Sequence, residues 1–188
     1  KISVPTAPTA VKASGGDSQA TVSFALPASD GGSEILGFQL SSDDGATWSP
    51  VKSGSAPLVT SGLTNGVAYP FRVRAVNAAG AGKSSARALA TPRAPVAPGA
   101  PTSLAAAVGS GSVAVSFRAP RTDGGAVISA YQVSIDDGTT WVAAAESVSP
   151  LAVGNLTNGK SYRIRLRAVN AVGPGPASAR ITAVPKAL

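Results

Sequence analysis

The chain of 188 residues contains no cysteine, no histidine and no methionine. Without cysteine there is neither a disulfide nor a thiolate metal site. Without histidine the usual general base near neutral pH and the commonest metal ligand are missing. A chain lacking its own initiator Met reads as a processed product or a cut fragment. Aromatic residues are 5% and charged residues 13% of the total; the second figure is well below the roughly 25% usual for soluble domains. No apolar run approaches the ~20 residues that a membrane-spanning helix requires. No signal peptide or lipidation motif is visible.

Charge is also scarce in a way that matters. The net charge of +7 reflects 16 Lys and Arg against 9 Asp and Glu. Residues 5–92 and 98–185 carry small excesses of cations, and Lys1, Arg93 and Lys186 supply the rest. Nucleic-acid binding calls for a dense basic patch, and this distribution does not provide one. Gly (21) and Pro (15) are plentiful and favour many turns over long helices.

What the chain does have is an internal copy of itself. Trp48 recurs as Trp141, 93 residues later, and Phe24, Tyr69 and Asn77 recur as Phe117, Tyr162 and Asn170. Asp43-Asp44-Gly45 returns as Asp136-Asp137-Gly138, and Leu63-Thr64-Asn65-Gly66 as Leu156-Thr157-Asn158-Gly159. No gap is needed. A period this long is a domain rather than a solenoid turn. Each copy is about the size at which a single core becomes self-sufficient.

Both copies read as short strands broken by turn chemistry. Val22 and Phe24 alternate with Thr21 and Ser23, as Val115 and Phe117 do in the second copy. Asp44-Gly45 and Asp137-Gly138 are hairpin signals, because Gly tolerates the positive φ such turns demand. The clearest strand sets Tyr69, Phe71, Val73 and Ala75 on one face and Arg72 and Arg74 on the other. Its twin sets Tyr162, Ile164, Leu166 and Ala168 against Arg163, Arg165 and Arg167. Short strands at this spacing predict an all-β sandwich in each copy.

On these residues each copy resembles a fibronectin type III domain, of the kind found in bacterial surface or secreted proteins. The resemblance rests on Leu63…Tyr69…Val73-Arg74-Ala75-Val76-Asn77 and Gly80-x-Gly82-x-x-Ser85. It rests equally on Leu156…Tyr162…Leu166-Arg167-Ala168-Val169-Asn170 and Gly173-x-Gly175-x-x-Ser178. It implies two tandem immunoglobulin-like sandwiches, each of seven strands in sheets of three and four. It also implies that Tyr69 and Tyr162 are tyrosine-corner residues, hydrogen-bonded to backbone. The family usually carries a Trp on its second strand, where this chain has Phe24 and Phe117. The segments Asp30–Phe38 (DGGSEILGF) and Asp43–Trp48 (DDGATW) resemble bacterial members of the family, and the Ala, Gly, Pro and Arg bias suits a GC-rich bacterial source.

The expected organisation is a stub at residues 1–4, domain 1 at 5–92, a linker at 93–97 and domain 2 at 98–188. The stub reading comes from Ile2-Ser3-Val4-Pro5, which is similar to the terminal Ile181–Pro185. Residues 1–4 are therefore expected to be extended and to pair with another domain or another copy.

The candidate surface consists of Trp48, Arg72 and Arg74, with Trp141, Arg163, Arg165 and Arg167. The reading expects no acid to neutralise these rows. The indoles are expected to stack on the guanidinium groups, and anionic cell-surface polysaccharide is a candidate partner. The pairs Asp43-Asp44 and Asp136-Asp137 read as turn residues rather than calcium ligands, since calcium takes six to eight converging oxygens. No catalytic constellation, cofactor or metal site is expected. The expected role is a non-catalytic extracellular spacer or adhesion module, whose partners are other domains of the same chain or copies of itself. The alternatives are a self-assembling surface-filament subunit and an accessory region of a polysaccharide-degrading enzyme.

Overall fold

The structure is a computed structural model that describes residues 1–51 and 56–187. It separates into unit 1, Lys1–Ala94, and unit 2, Pro95–Leu188. Among the described residues there is no helix, and so none long and apolar enough to cross a membrane.

Unit 1 has β1 (Thr9–Gly16), β2 (Gln19–Ala25), β3 (Gly37–Ser41), β4 (Ser49–Val51), β5 (Leu58–Ser61), β6 (Tyr69–Asn77), β7 (Gly80–Ala81) and β8 (Ala88–Ala90). Its smaller sheet has the order β1-β2-β5. The larger runs β4-β3-β6-β7, with β8 also paired to β6. Unit 2 has β9 (Thr102–Gly109), β10 (Ser112–Arg118), β11 (Ala130–Ser134), β12 (Val142–Ala143), β13 (Leu151–Val153), β14 (Tyr162–Asn170), β15 (Gly173–Pro174) and β16 (Ile181–Ala183). Its sheets are β13-β10-β9 and β12-β11-β14-β15, with β16 also on β14. Every pairing between these strands is antiparallel.

The period-two pattern therefore builds two all-β sandwiches. In β6 the buried residues Phe71, Val73 and Ala75 alternate with half-buried Arg72, Arg74 and Val76. Val22, Phe38, Leu40 and Leu58 join them in one core, with Phe24, Leu63 and Tyr69 packed at its margin. The twin core of unit 2 holds Val115, Tyr131, Leu151, Tyr162, Ile164 and Leu166.

The strand count differs from the expected seven. The last strand is split, so that β7 and β8 are two segments along the same edge of β6. The cause is Ser85. Its side-chain Oγ accepts the Val73 N–H at 3.0 Å, while its own N–H donates to the Val73 carbonyl at 2.8 Å. A side chain thus replaces a carbonyl in the ladder, and the regular strand stops on either side. Ser178 does the same with Leu166, at 3.0 and 2.8 Å.

The stub reading is corrected. Ser3 N–H donates to the Gly31 carbonyl at 2.8 Å, and Asn77 Nδ2 donates to the Ser3 carbonyl at 2.7 Å. Residues 1–4 thus bond within unit 1. Their counterpart is not the terminal strand but the segment 93 residues later: Val96 N–H donates to the Gly124 carbonyl at 2.8 Å, and Asn170 Nδ2 to the Val96 carbonyl at 2.7 Å. The expected linker 93–97 is likewise divided. Arg93 N–H bonds to the Gly16 carbonyl in unit 1 at 2.9 Å, and Val96 bonds in unit 2. Likeness of composition led to the wrong pairing; the period gives the right one.

Candidate functional site

The hairpin after β3 organises the most distinctive surface of unit 1. Asp44 and Gly45 have φ of 61° and 99°. A pair of positive φ values is what a type I′ turn requires, and Gly adopts it without steric cost. The Asp43 carboxylate accepts from Ser41 Oγ at 2.6 Å, from Thr47 Oγ1 at 2.6 Å and from Thr47 N–H at 2.9 Å. These bonds favour the ionised form, that from Ser41 most, and lower its pKa to about 2. Ser41, itself buried, also accepts from Gly45 N–H at 2.8 Å. Asp43 is thereby used up in holding the turn.

The turn delivers Trp48. Its indole Nε1 donates to the Gly45 carbonyl at 3.0 Å, which fixes the ring against the sheet. Arg74 lies on it with Cζ 4.2 Å from the ring centroid, while its Nε donates to Gln39 Oε1 at 2.7 Å. The register explains the trio: Gln39 stands directly opposite Arg74. A guanidinium within ~6 Å of an indole centroid is favourable by about 0.5–1 kcal/mol at exposed sites.

Unit 2 repeats the arrangement. Asp137 and Gly138 have φ of 65° and 97°. Bonds from Ser134 and then Thr140 lower the Asp136 pKa to about 2. Trp141 Nε1 donates to the Gly138 carbonyl at 3.0 Å, and Arg167 Cζ sits 4.4 Å from its ring centroid. Arg167 Nε donates to Gln132 Oε1 at 2.7 Å.

The remaining arginines separate by role. The expectation that no acid neutralises the rows is corrected. Arg72 Nε pairs with Asp44 Oδ1 at 2.6 Å, and Arg165 Nε with Asp137 Oδ1 at 2.7 Å. Arg180 Nη1 adds a contact to Asp137 Oδ2 at 3.1 Å. The Arg165 bond, foremost, holds the Asp137 pKa below its usual value. Sequence distance hid these pairs: Asp44 follows β3, and the sheet brings it beside β6. Arg163 is exposed on β14, outside the stack, where unit 1 has Pro70.

Tyr69 Oη accepts the Thr64 N–H at 3.0 Å, and Tyr162 Oη accepts the Thr157 N–H at 2.9 Å. Accepting that donor stabilises the phenolate and lowers both phenol pKa values. Asn77 and Asn170 had no role in the sequence reading. Each is buried and donates twice through Nδ2: Asn77 to Ser3 and Asp30, Asn170 to Val96 and Asp123. Their recurrence at the common spacing was the available signal.

The fibronectin type III domain family matches residues 5–91 and 99–184. Human Myomesin-2 is 33% identical over 176 residues, covering 84% of this chain and 12% of that protein. Mouse cardiac-type Myosin-binding protein C is 32% identical over 187 residues, covering 93% of this chain and 15% of that protein. Mouse Protein sidekick-1 is 31% identical over 160 residues, covering 77% and 7%. The chain thus spans less than a sixth of the length of these relatives. All three are animal proteins, and none supports the bacterial source expected from composition. The solved structure of the chicken CNTN1 FN1-FN3 domains aligns with a TM-score of 0.48 and 19% identity, over 99% of this chain and 69% of that one.

Proposed function

The chain belongs to the fibronectin type III family, and we propose that it is a non-catalytic extracellular spacer or adhesion segment of a surface or secreted protein. The observation that carries this reading is how each unit holds the chain where it arrives and where it leaves. In unit 1 the lead-in is held by the Ser3–Gly31 and Asn77–Ser3 bonds. The tail is held by Gly66 N–H to the Pro92 carbonyl at 2.8 Å and Arg93 N–H to the Gly16 carbonyl at 2.9 Å. Unit 2 holds Val96 in the same way, and its tail by Gly159 N–H to Pro185 at 2.8 Å and Lys186 N–H to Gly109 at 3.2 Å. Tension applied to the chain is passed to backbone hydrogen bonds and then to a packed core. That is what a spacer must do.

The charged side chains support the same reading, since Asp43, Asp136, Asp44, Asp137, Arg74 and Arg167 are engaged within their own units. The relatives carry such domains within far longer chains. A bacterial source rests on the segments 30–38 and 43–48 and on the Ala, Gly, Pro and Arg bias, and the animal relatives do not support it. The filament alternative loses its motive, because Ser3 is bonded to Gly31 and Asn77.

Single-molecule force extension tests the proposal. Two unfolding events are expected, each lengthening the chain by roughly 3.3–3.6 Å per residue released. Smooth extension without a resisting event would overturn it.

A further inference from the structure

The chain contains two Asn-Gly steps, Asn65-Gly66 and Asn158-Gly159. An Asn before Gly is prone to lose its amide, because Gly has no Cβ to shield the backbone nitrogen that attacks the Asn Cγ. The bond from Gly N to Cγ forms and the Cγ–Nδ2 bond breaks. The amide leaves as ammonia, taking the proton shed by the Gly nitrogen. Water then opens the resulting succinimide at either carbonyl, giving aspartate or isoaspartate. No reactant other than water is needed.

The fold holds both reacting groups. Gly66 N–H donates to the Pro92 carbonyl at 2.8 Å, so the attacking nitrogen keeps its proton while the tail is in place. Asn65 Oδ1 accepts the Ser18 N–H at 2.9 Å, and its Nδ2 donates to Asp17 Oδ1 at 2.8 Å. Closing the succinimide ring would nearly eclipse Cγ with the backbone carbonyl carbon, off any staggered rotamer and so away from both partners. Unit 2 repeats this frame: Gly159 N–H donates to the Pro185 carbonyl at 2.8 Å, and Asn158 Oδ1 accepts the Gly111 N–H at 2.8 Å. The change lies in the other partner. Asn158 Nδ2 donates to Ser110 Oγ at 3.2 Å, and Ser110 stands 93 residues beyond Asp17. A hydroxyl can turn and donate to a carboxylate, whereas a second carboxylate has only acceptors and repels it.

We propose that Asn65 is a deamidation site gated by the tail of unit 1, and that neither product lets the unit close as before. While Pro92 and Arg93 are seated, the Gly66 nitrogen is bonded and the Asn65 side chain is pinned. Release of the tail frees the nitrogen. Isoaspartate then lengthens the main chain at the turn and displaces Gly66 from Pro92. Aspartate keeps the main chain but sets its carboxylate against that of Asp17. Asn158 is gated in the same way by Pro185, but its aspartate form meets Ser110 and lets unit 2 close again. Opening therefore leaves a lasting chemical mark, and the two units differ in what that mark does.

The test keeps the intact chain at mildly alkaline pH, with and without unfolding urea, and follows amide-to-acid conversion of Asn65 and Asn158 by peptide mass spectrometry. Both should convert at least about tenfold more slowly in the folded chain, where reaction waits on local opening. Arg93→Pro removes the N–H that donates to Gly16. It should speed conversion of Asn65 about two- to tenfold, as loss of one hydrogen bond would, and leave Asn158 unchanged. Asn65→Asp copies one product. Followed by Trp48 fluorescence with Trp141→Phe, it should weaken folding of unit 1 by about fivefold, as like charges ~4 Å apart in water would. Adding Asp17→Ser should relieve most of that loss. Asn158→Asp, followed by Trp141 with Trp48→Phe, should change unit 2 little. The aspartate variants carry the test if Arg93→Pro fails to fold. Conversion of Asn65 as fast in the folded chain as in urea, a rate unmoved in folded Arg93→Pro, or an Asn65→Asp chain no weaker than its parent would each overturn the proposal.

Discussion

At the position where unit 1 buries Phe71, unit 2 buries Ile164, and both side chains are wholly inaccessible. The lost volume returns nearby. Ala20 is replaced by Val113 and Val73 by Leu166, again fully or almost fully buried. Phe38 and Tyr131 hold equivalent places, each against a second ring: Phe24 at 4.8 Å and Phe117 at 4.6 Å between centroids. The polar pins, by contrast, are unchanged: Asn77 and Asn170, Ser85 and Ser178, Tyr69 and Tyr162. Apolar positions can exchange volume as long as the total fills the space. A buried polar group has no such freedom, because it must meet its partner at hydrogen-bond distance. The two halves therefore diverge in packing and stay the same in hydrogen bonding.

The largest expected effect tests the packing half of that contrast. Phe71→Ala should cost about 3–5 kcal/mol, the usual range for removing a buried ring. Phe71→Ile, which copies unit 2, should cost about 1–2 kcal/mol alone through the cavity it leaves. Adding Ala20→Val and Val73→Leu should recover much of that loss. Urea midpoints would measure all three, and a triple variant no better than Phe71→Ile would break the volume argument.

A smaller effect is expected at the corners. Tyr69→Phe and Tyr162→Phe should each cost about 0.5–1.5 kcal/mol, the net value of one hydrogen bond. Equal costs would sharpen the claim that the pins are equivalent; a corner that tolerates the change would mark its unit as held differently.

Acid should act on both hairpins. Asp43 and Asp136 have folded pKa values of about 2, below the ordinary 3.8. A lowered folded pKa contributes stability that is present above the unfolded value and lost as pH falls through the folded one. Thermal midpoints should thus decline between about pH 4 and pH 2. Asp43→Asn together with Asp136→Asn should flatten that decline. The smallest effect is expected at the stacks, where Trp48→Leu removes a cation–π contact worth about 0.5–1 kcal/mol. A matching loss for Trp141→Leu is expected from the similar geometry.

The strands β2, β6, β10 and β14, the Asp-Gly turns and the side of β6 that carries arginine were legible, because each depends on local periodicity; β1 and β9, built largely from Ala, Gly, Ser and Thr, carry too few large apolar residues to show one. The tyrosine corners came from a family resemblance. What stayed hidden was long-range. Asp44 with Arg72, Ser85 within the ladder of β6 and Asn77 holding Ser3 all join segments far apart in the chain. Nor does local pattern reveal that a Cβ on Gly31 would collide with the Ser3 carbonyl passing over it. Periodicity tells which face a residue takes; it does not tell which neighbour crosses that face.

The central claim is that the two units are the same hydrogen-bonded frame, each held by its own buried asparagine. Each unit has one Trp, so in a Trp141→Phe background Trp48 fluorescence follows unit 1 alone. On denaturation, Asn77→Ala should destabilise the Trp48 transition by about 1–3 kcal/mol, the cost of leaving buried partners unpaired. Asn170→Ala in the same background should leave that transition where it was. An Asn77→Ala midpoint equal to the parent's, or an Asn170→Ala shift of the same size, would contradict the account.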